Sequence, residues 1–369
     1  MGAMHQRLLS GERIRVMIVD DSAVIRRLVT RALEQDPMLQ VVGSASNGAI
    51  GLERIPELDP HVLTLDIEMP DMDGLEMLRR IRRDYPHVRV IMLSTLTERG
   101  ASITLEALTL GADDYVTKVS NGGSFAESMA RLQEELIPKI RQFFRPAGQS
   151  GPTNGATAAP SQACVSARRS PPASQTKARP RILLIGVSTG GPGALGEILP
   201  QLPADFPLPV LVVQHMPPLF TRLLAERLNS SCSLSVEEAG QGSLVEHGKV
   251  LIAPGDFHMM VASEGGRVRV RLDQSPRQNF CRPAIDALFL STAEVYGGAV
   301  LAAVLTGMGQ DGTQGAGVLQ ARGATILAQD EASSVVWGMP GAVVKAGFSD
   351  QVLPLNRVGS EILRIAGRG

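Results

Sequence analysis

Short apolar runs that end in polar residues recur along the chain, separated by stretches with helical spacing. In the first half, residues 14–19, 40–43, 62–65, 88–93 and 114–117 read as strands, because apolar residues follow one another almost without a break. Residues 23–35, 47–57, 74–83, 101–110 and 124–144 carry helical periodicity, and Asp73 stands where it caps the helix opening at Gly74. Five strands alternating with five helices predict a doubly wound (βα)5 α/β domain with a parallel sheet. The second half repeats the pattern. Residues 182–185, 209–213, 299–305 and 324–328 read as buried strands, and 234–238, 249–252, 258–261 and 268–272 as shorter ones with hairpins at one side. Helices open near Pro192, Pro217 and Arg282 and cover 339–346 and 355–365. A second doubly wound parallel sheet is expected there.

Residues 145–180 break the rhythm. They are rich in Pro, Ala, Ser, Gly and Gln, bury too little apolar surface to offset ordering entropy, and are expected to form a flexible linker. The predicted domains are therefore 12–144 and 181–369. Composition changes little in this picture: 369 residues, 44% apolar and 20% charged, suit two soluble domains. Three cysteines, Cys164, Cys232 and Cys281, form neither a CxxC nor a disulfide framework, which fits a cytoplasmic protein. No run is long enough to span a bilayer, and the first residues lack the apolar core of a signal peptide.

The chemistry sits at strand ends. In the first half these are Asp20 and Asp21, then Asp66, Ser94 and Lys118. Alone, each is an ordinary surface residue; together, at equivalent strand ends, they converge on one pocket. Three carboxylates repel one another unless a hard cation sits among them, and Mg2+ prefers such oxygen ligands. Ser94 and Lys118 would then hold an incoming phosphoryl group. This constellation resembles the receiver domains of bacterial response regulators, which implies a flavodoxin-like (βα)5 fold for the first half. The resemblance implies that Asp66 takes phosphoryl from a sensor histidine kinase. It implies that Asp21, Asp66 and the Glu68 carbonyl bind Mg2+, with Asp20 helping through water. Receivers mostly have proline after the lysine; this chain has Val119.

In the second half, the strand at 182–185 runs into Gly186-Val-Ser188-Thr189-Gly190-Gly191. Ser188 would sit at a strand end near the positive end of a helix, as a nucleophile does. The same stretch fits the G-x-S-x-G elbow of hydrolases, and Gly191 to Gly196 fits the G-x-G-x-x-G dinucleotide fingerprint. Small residues that merely let helix and strand pack closely are a third reading. The next strand ends in Gln214 and His215, where a dinucleotide site wants an acidic residue, so the cofactor reading weakens. His215 in isolation reads as a packed structural histidine. His258, in a turn with Asp256, is its rival as general base, and that place favours a structural role. Asp311 closes a further strand in a glycine-rich loop, where it also suits a helix cap.

Ser188, His215 and Asp311 supply nucleophile, base and orienting acid in an order that excludes the ordinary α/β-hydrolase. The stretches around them, following a receiver, resemble the chemotaxis protein-glutamate methylesterase family (CheB). The resemblance implies a Ser188–His215–Asp311 triad, with Thr189 and Met308 at the site edge offering amides to an oxyanion. It implies hydrolysis of glutamate methyl esters on methylated chemoreceptors, deamidation of receptor glutamines, no cofactor for the esterase, and control by phosphorylation through Ser94, Lys118 and Tyr115. The family has histidine before its Arg-Pro pair; here Cys281 stands there. The rival reading is a response regulator with a DNA-binding output. Residues 181–369 hold 14 Lys and Arg against 16 Asp and Glu and show no helix-turn-helix pattern, so neither nucleic acid nor membrane is an expected partner.

Overall fold

The computed structural model describes residues 12–95, 97–118, 125–146 and 177–367, with the backbone of 6–8. The linker expectation, Cys164 and Val119 fall on residues outside these, apart from the linker's two ends. Elements of the first unit are β1 (Ile14–Val19), α1 (Ala23–Leu33), β2 (Leu39–Ala45), α2 (Gly48–Leu58), β3 (Val62–Asp66), α3 (Gly74–Asp84), β4 (Arg89–Ser94), α4 (Glu98–Thr109), β5 (Asp114–Thr117) and α5 (Phe125–Arg141). The strands lie in the order β2-β1-β3-β4-β5, all parallel. Helices cover both faces, so β3, β4 and β5 are buried at every position. That is why they read as unbroken apolar runs rather than alternating ones. Asp73 caps α3 as expected, accepting from the Glu76 amide at 2.8 Å.

The second unit comprises β6 (Ile182–Val187), α6 (Gly191–Ile198), β7 (Val210–Gln214), α7 (Pro218–Asn229), β8 (Ser235–Glu238), β9 (Lys249–Ile252), β10 (His258–Glu264), β11 (Arg267–Asp273), α8 (Ile285–Tyr296), β12 (Val300–Val304), α9 (Thr313–Ala321), β13 (Thr325–Gln329), α10 (Met339–Lys345), β14 (Gln351–Leu353) and α11 (Leu355–Ala366). Seven strands form one parallel sheet in the order β8-β9-β7-β6-β12-β13-β14. Two expectations need correction. Of the shorter strands, only β10 and β11 form a hairpin; β8 and β9 extend the main sheet. His258, read both as the start of a strand and as part of a turn with Asp256, opens β10 and is fully buried, its Nε2 facing the Pro276 carbonyl at 3.2 Å and its Nδ1 accepting from the Ala284 amide at 3.2 Å. A turn motif in the sequence did not reveal that the hairpin core swallows this side chain.

Both sheets reverse winding direction beside their first strand, and open α/β sheets place sites at that crevice, beyond the carboxyl ends of the strands. The two units meet there. Leu108 and Tyr115 of the first belong to one buried cluster with Leu195 and Phe220 of the second. Tyr115 stacks on Phe220 with ring centroids 4.6 Å apart and planes 20° apart, and Arg222 on α7 pairs with Glu98 on α4.

Candidate active site

In the first unit, Asp20 and Asp21 follow β1 and Asp66 ends the adjacent β3. Each offers a carboxylate oxygen, all within 4.8 Å of one another. The Lys118 ammonium, just after β5, lies 2.9 Å from Asp20 and 2.7 Å from Asp66. Burial raises Asp66, Lys118 pulls it down, and Asp20 and Asp21 raise it again, leaving it at about 6. The carboxylate is thus poorly compensated. Glu68 lines the same pocket and its side chain pairs at long range with Arg99 (3.6 Å). Ser94 points away: its hydroxyl accepts from Thr104 Oγ1 at 2.6 Å and is buried.

In the second unit, β7, β6 and β12 are neighbours, and Ser188, His215 and Asp311 follow them in that part of the sheet. Ser188 leaves β6 one residue past its end, before Gly190 turns with φ 79° into α6. Gly307 must be glycine: a Cβ there would lie 2.7 Å from the Ser188 Cβ. The Gln214 amide donates to the Ser188 carbonyl at 3.0 Å, tying the β6 and β7 ends together.

His215 Nε2 lies 2.9 Å from Asp311 Oδ2, and Nδ1 lies 3.5 Å from Cys281 Sγ. The Ser188 hydroxyl is not hydrogen-bonded to the imidazole; among the described residues the two ring nitrogens face Asp311 and Cys281. Asp311 is buried and accepts from the Ile285 amide (2.6 Å), the Asp286 amide (3.1 Å) and Asn279 Nδ2 (3.0 Å). Two of those donors open α8, so a helix N-terminus holds the carboxylate ionised. Burial alone would raise Asp311; His215 and these amides hold it below the ordinary carboxylate range. Burial lowers His215, yet Asp311 and Cys281 outweigh it and raise the imidazole to about 9.

The cleft at Ser188 measures about 370 Å3 and is lined from both units, by His215, Cys281 and Met308 on one side and by Asp114 and Tyr115 on the other. Met308 is 45% exposed. Thr189 is buried, and its hydroxyl donates to Asp114 Oδ2 at 2.7 Å across the junction.

Family models now discriminate among the readings left open. One described as CheB methylesterase matches residues 183–362, and one described as response regulator receiver domain matches residues 16–129. The protein-glutamate methylesterase/protein-glutamine glutaminase of Trichodesmium erythraeum is 46% identical over 355 residues, spanning 96% of this chain and 99% of its own. That of Nocardioides sp. is 50% identical, spanning 96% of each. The chain belongs to the CheB methylesterase family. The crystal structure of the Thermotoga maritima CheB methylesterase catalytic domain aligns at 45% identity with a TM-score of 0.50, covering 50% of this chain and 98% of that one. Like its family, this chain is a receiver joined to an α/β hydrolase, and the dehydrogenase and DNA-binding outputs fall away.

Ser188 and His215 stand one residue past β6 and β7, as the sequence predicts; Asp311, expected at a strand end, lies beyond a loop that follows β12, just before α9. Sequence reasoning missed Asn279, which bridges Asp311 and Asp286 (3.0 Å to each), and Asp286, raised by burial and by its neighbour Asp311. It also missed the Gln214 bond to the Ser188 carbonyl and the Thr189–Asp114 bond. An Asn two residues before a Cys-Arg-Pro sequence carries no local signal; only the folded turn brings it to the carboxylate. No described helix is long and apolar enough to cross a membrane.

Proposed function

We propose that this chain is a phosphorylation-regulated esterase that hydrolyses glutamate methyl esters on methylated chemoreceptors, releasing methanol, and that deamidates receptor glutamines at the same centre. The observation that carries the reading is the 2.9 Å pairing of His215 with the buried Asp311, one strand on either side of Ser188. Ser188 Oγ attacks the ester carbonyl. His215 takes its proton on Nδ1, because Nε2–H is committed to Asp311. The usual ring orientation, with Nδ1 on the carboxylate, is reversed here. Asp311 fixes the tautomer and stabilises the imidazolium. Backbone amides of Thr189 and Met308 face the oxyanion. Collapse expels methanol, or ammonia from a glutamine, protonated by His215, and water then releases the acyl-serine by the same route.

Asp66 accepts phosphoryl from a sensor histidine kinase, and Lys118 and Ser94 hold the phosphoryl oxygens. The donor set fits a hard divalent ion. Asp20, Asp21 and Asp66, with the Glu68 carbonyl, would hold Mg2+, which supplies positive charge against those oxygens. The unphosphorylated receiver covers the esterase cleft through Tyr115 and Asp114; drawing Ser94 toward the phosphoryl group loosens that face. The chain works in the cytoplasm, without nucleic acid or membrane insertion. Methanol release from methylated receptor membranes tests the reading. Ser188→Ala should reduce it by several orders of magnitude while Asp66 still takes up phosphoryl. A variant that keeps a substantial share of the rate would sink the assignment.

A further inference from the structure

Cys281 is not a bystander at the cleft. Its Sγ faces Nδ1 of His215 at 3.5 Å, and that ring is held on its other nitrogen by Asp311 at 2.9 Å. Sulfur, imidazole and carboxylate are therefore in line, the arrangement that activates a thiol. The thiol is held there by a built turn. Gln278 and Cys281 exchange backbone hydrogen bonds (3.1 and 2.8 Å) around Asn279 and Phe280, both with left-handed backbone (φ 49° and 65°). Non-glycine residues rarely adopt that conformation, least of all a bulky one. The turn is pinned by Asn279 Nδ2, which donates to Asp311 and Asp286 at 3.0 Å. The residue that orients the base thus also anchors the turn that aims the sulfur at it. Cys281 is partly exposed and lines the cleft. Cys232, by contrast, packs against the apolar core, and burial pushes its thiol up.

Resting on the esterase reading above, we propose that Cys281 is a hydroperoxide-sensitive thiol whose oxidation switches the esterase off. The proton shared between Sγ and Nδ1 passes to the imidazole. Sulfur attacks one peroxide oxygen, the O–O bond breaks, and the sulfur, oxidised by two electrons, becomes a sulfenic acid. The departing hydroxide takes the proton from Nδ1 and leaves as water. The added oxygen occupies the space beside Nδ1, the nitrogen that Ser188 needs. A low-molecular-weight thiol displaces the sulfenic oxygen as water to give a mixed disulfide. A second thiol releases Cys281 and restores the site.

The test uses the full-length chain carrying Cys164→Ser and Cys232→Ser, and a second form carrying Cys281→Ser alone. Each is exposed to hydrogen peroxide and quenched; one aliquot is trapped with dimedone for mass spectrometry, and an untrapped aliquot is assayed for methanol release before and after dithiothreitol. The double variant is expected to gain the dimedone mass on Cys281 and to lose at least about tenfold of its rate, recovered with dithiothreitol. Cys281→Ser should keep more than about half of its own starting rate at the same dose. Equal inactivation of both forms overturns the proposal, and so does an unlabelled Cys281 at doses that oxidise the exposed Met308. Should Cys281→Ser fail to fold, His215→Ala in the double variant decides: Cys281 labelling at neutral pH must slow by about tenfold, and an unchanged rate overturns the pairing. Labelling needs no turnover, so labelled Cys281 in a chain that never releases methanol would sink the functional reading and leave the thiol assignment standing.

Discussion

Tyr115→Ala isolates the contact proposed to hold the esterase shut. The ring is 7% exposed and stacks on Phe220 at 4.6 Å across the junction of the two units. Stacking of this kind is worth about 0.5–1.5 kcal/mol beyond area burial. The part of the ring facing α7 adds roughly 1 kcal/mol of apolar burial. The covered state should therefore lose about 2 kcal/mol relative to the open one, about a 30-fold shift. Couplings between regulatory and functional sites span about 1–3 kcal/mol, so this is enough to open most of the population. The Thr189–Asp114 bond (2.7 Å) survives and keeps the release incomplete. The assay is methanol release from methylated receptor membranes by unphosphorylated full-length protein. A rise of about 10–30-fold is expected, with a phosphodonor and Mg2+ then adding less than about twofold. Tyr115→Phe, which keeps the stack, should stay repressed. If folded Tyr115→Ala, competent for Asp66 phosphorylation, stayed as slow as the parent, the covering model would have to be abandoned.

Three further outcomes follow from the same geometry. His215→Ala should match the damage of Ser188→Ala, whereas His258→Ala should lower thermal stability through its lost core bonds and keep the rate of the folded fraction within about tenfold; the reverse ranking would move the base to His258. Asp66→Asn should take up no labelled phosphoryl from a small phosphodonor, and chelating Mg2+ should reproduce this in the parent; undiminished stable labelling would point to another acceptor. The imidazole, raised to about 9, must be unprotonated to accept from Ser188, so the esterase rate should climb with pH until about 9 and level there. The same shift is a stability statement: the pairing contribution is complete below the unfolded value near 6.5 and is lost as pH rises through about 9. Its size is on the order of 3 kcal/mol. A rate already flat at pH 7 contradicts that assignment.

Most of the fold was legible because parallel strands buried on both faces cannot alternate. Runs such as 62–65 and 299–305 announce themselves, and Asp73 marks a helix start by its own chemistry. The positions of Ser188 and His215 were legible for a related reason: each follows an apolar run directly, so the strand carries its side chain to the crevice, whereas Asp311 stands beyond a glycine-rich loop, just before α9. What stayed hidden depends on contacts distant in sequence. Asp114 and Thr189 meet across 75 positions, and no local pattern encodes that pairing. Asn279 reaches Asp311 only because the 278–281 turn folds back over the start of α8. His258 misled because Pro-Gly-Asp before it looks like an exposed turn, while the hairpin packs it against the base of α8.

These hidden contacts bear most directly on control. Thr189 follows the proposed nucleophile immediately, and its hydroxyl is spent on the receiver's Asp114, which also pairs with Lys139 at 2.8 Å. On the covering model the receiver would therefore do more than stand in the substrate's path. It grips the residue whose amide is proposed to face the oxyanion, while the base nitrogen of His215 rests against Cys281 rather than Ser188. Catalytic electrostatics depend on donors held where charge develops, with little reorganisation left to do. A cleft whose Thr189 hydroxyl is bonded to the receiver and whose base faces a thiol would be held back on both counts. Release of one buried hydrogen bond and one aromatic stack reverses the first. On the covering model proposed above, regulation would rest on small, local contacts next to the proposed nucleophile, and their combined strength of a few kcal/mol is the range that phosphorylation of a receiver can overcome.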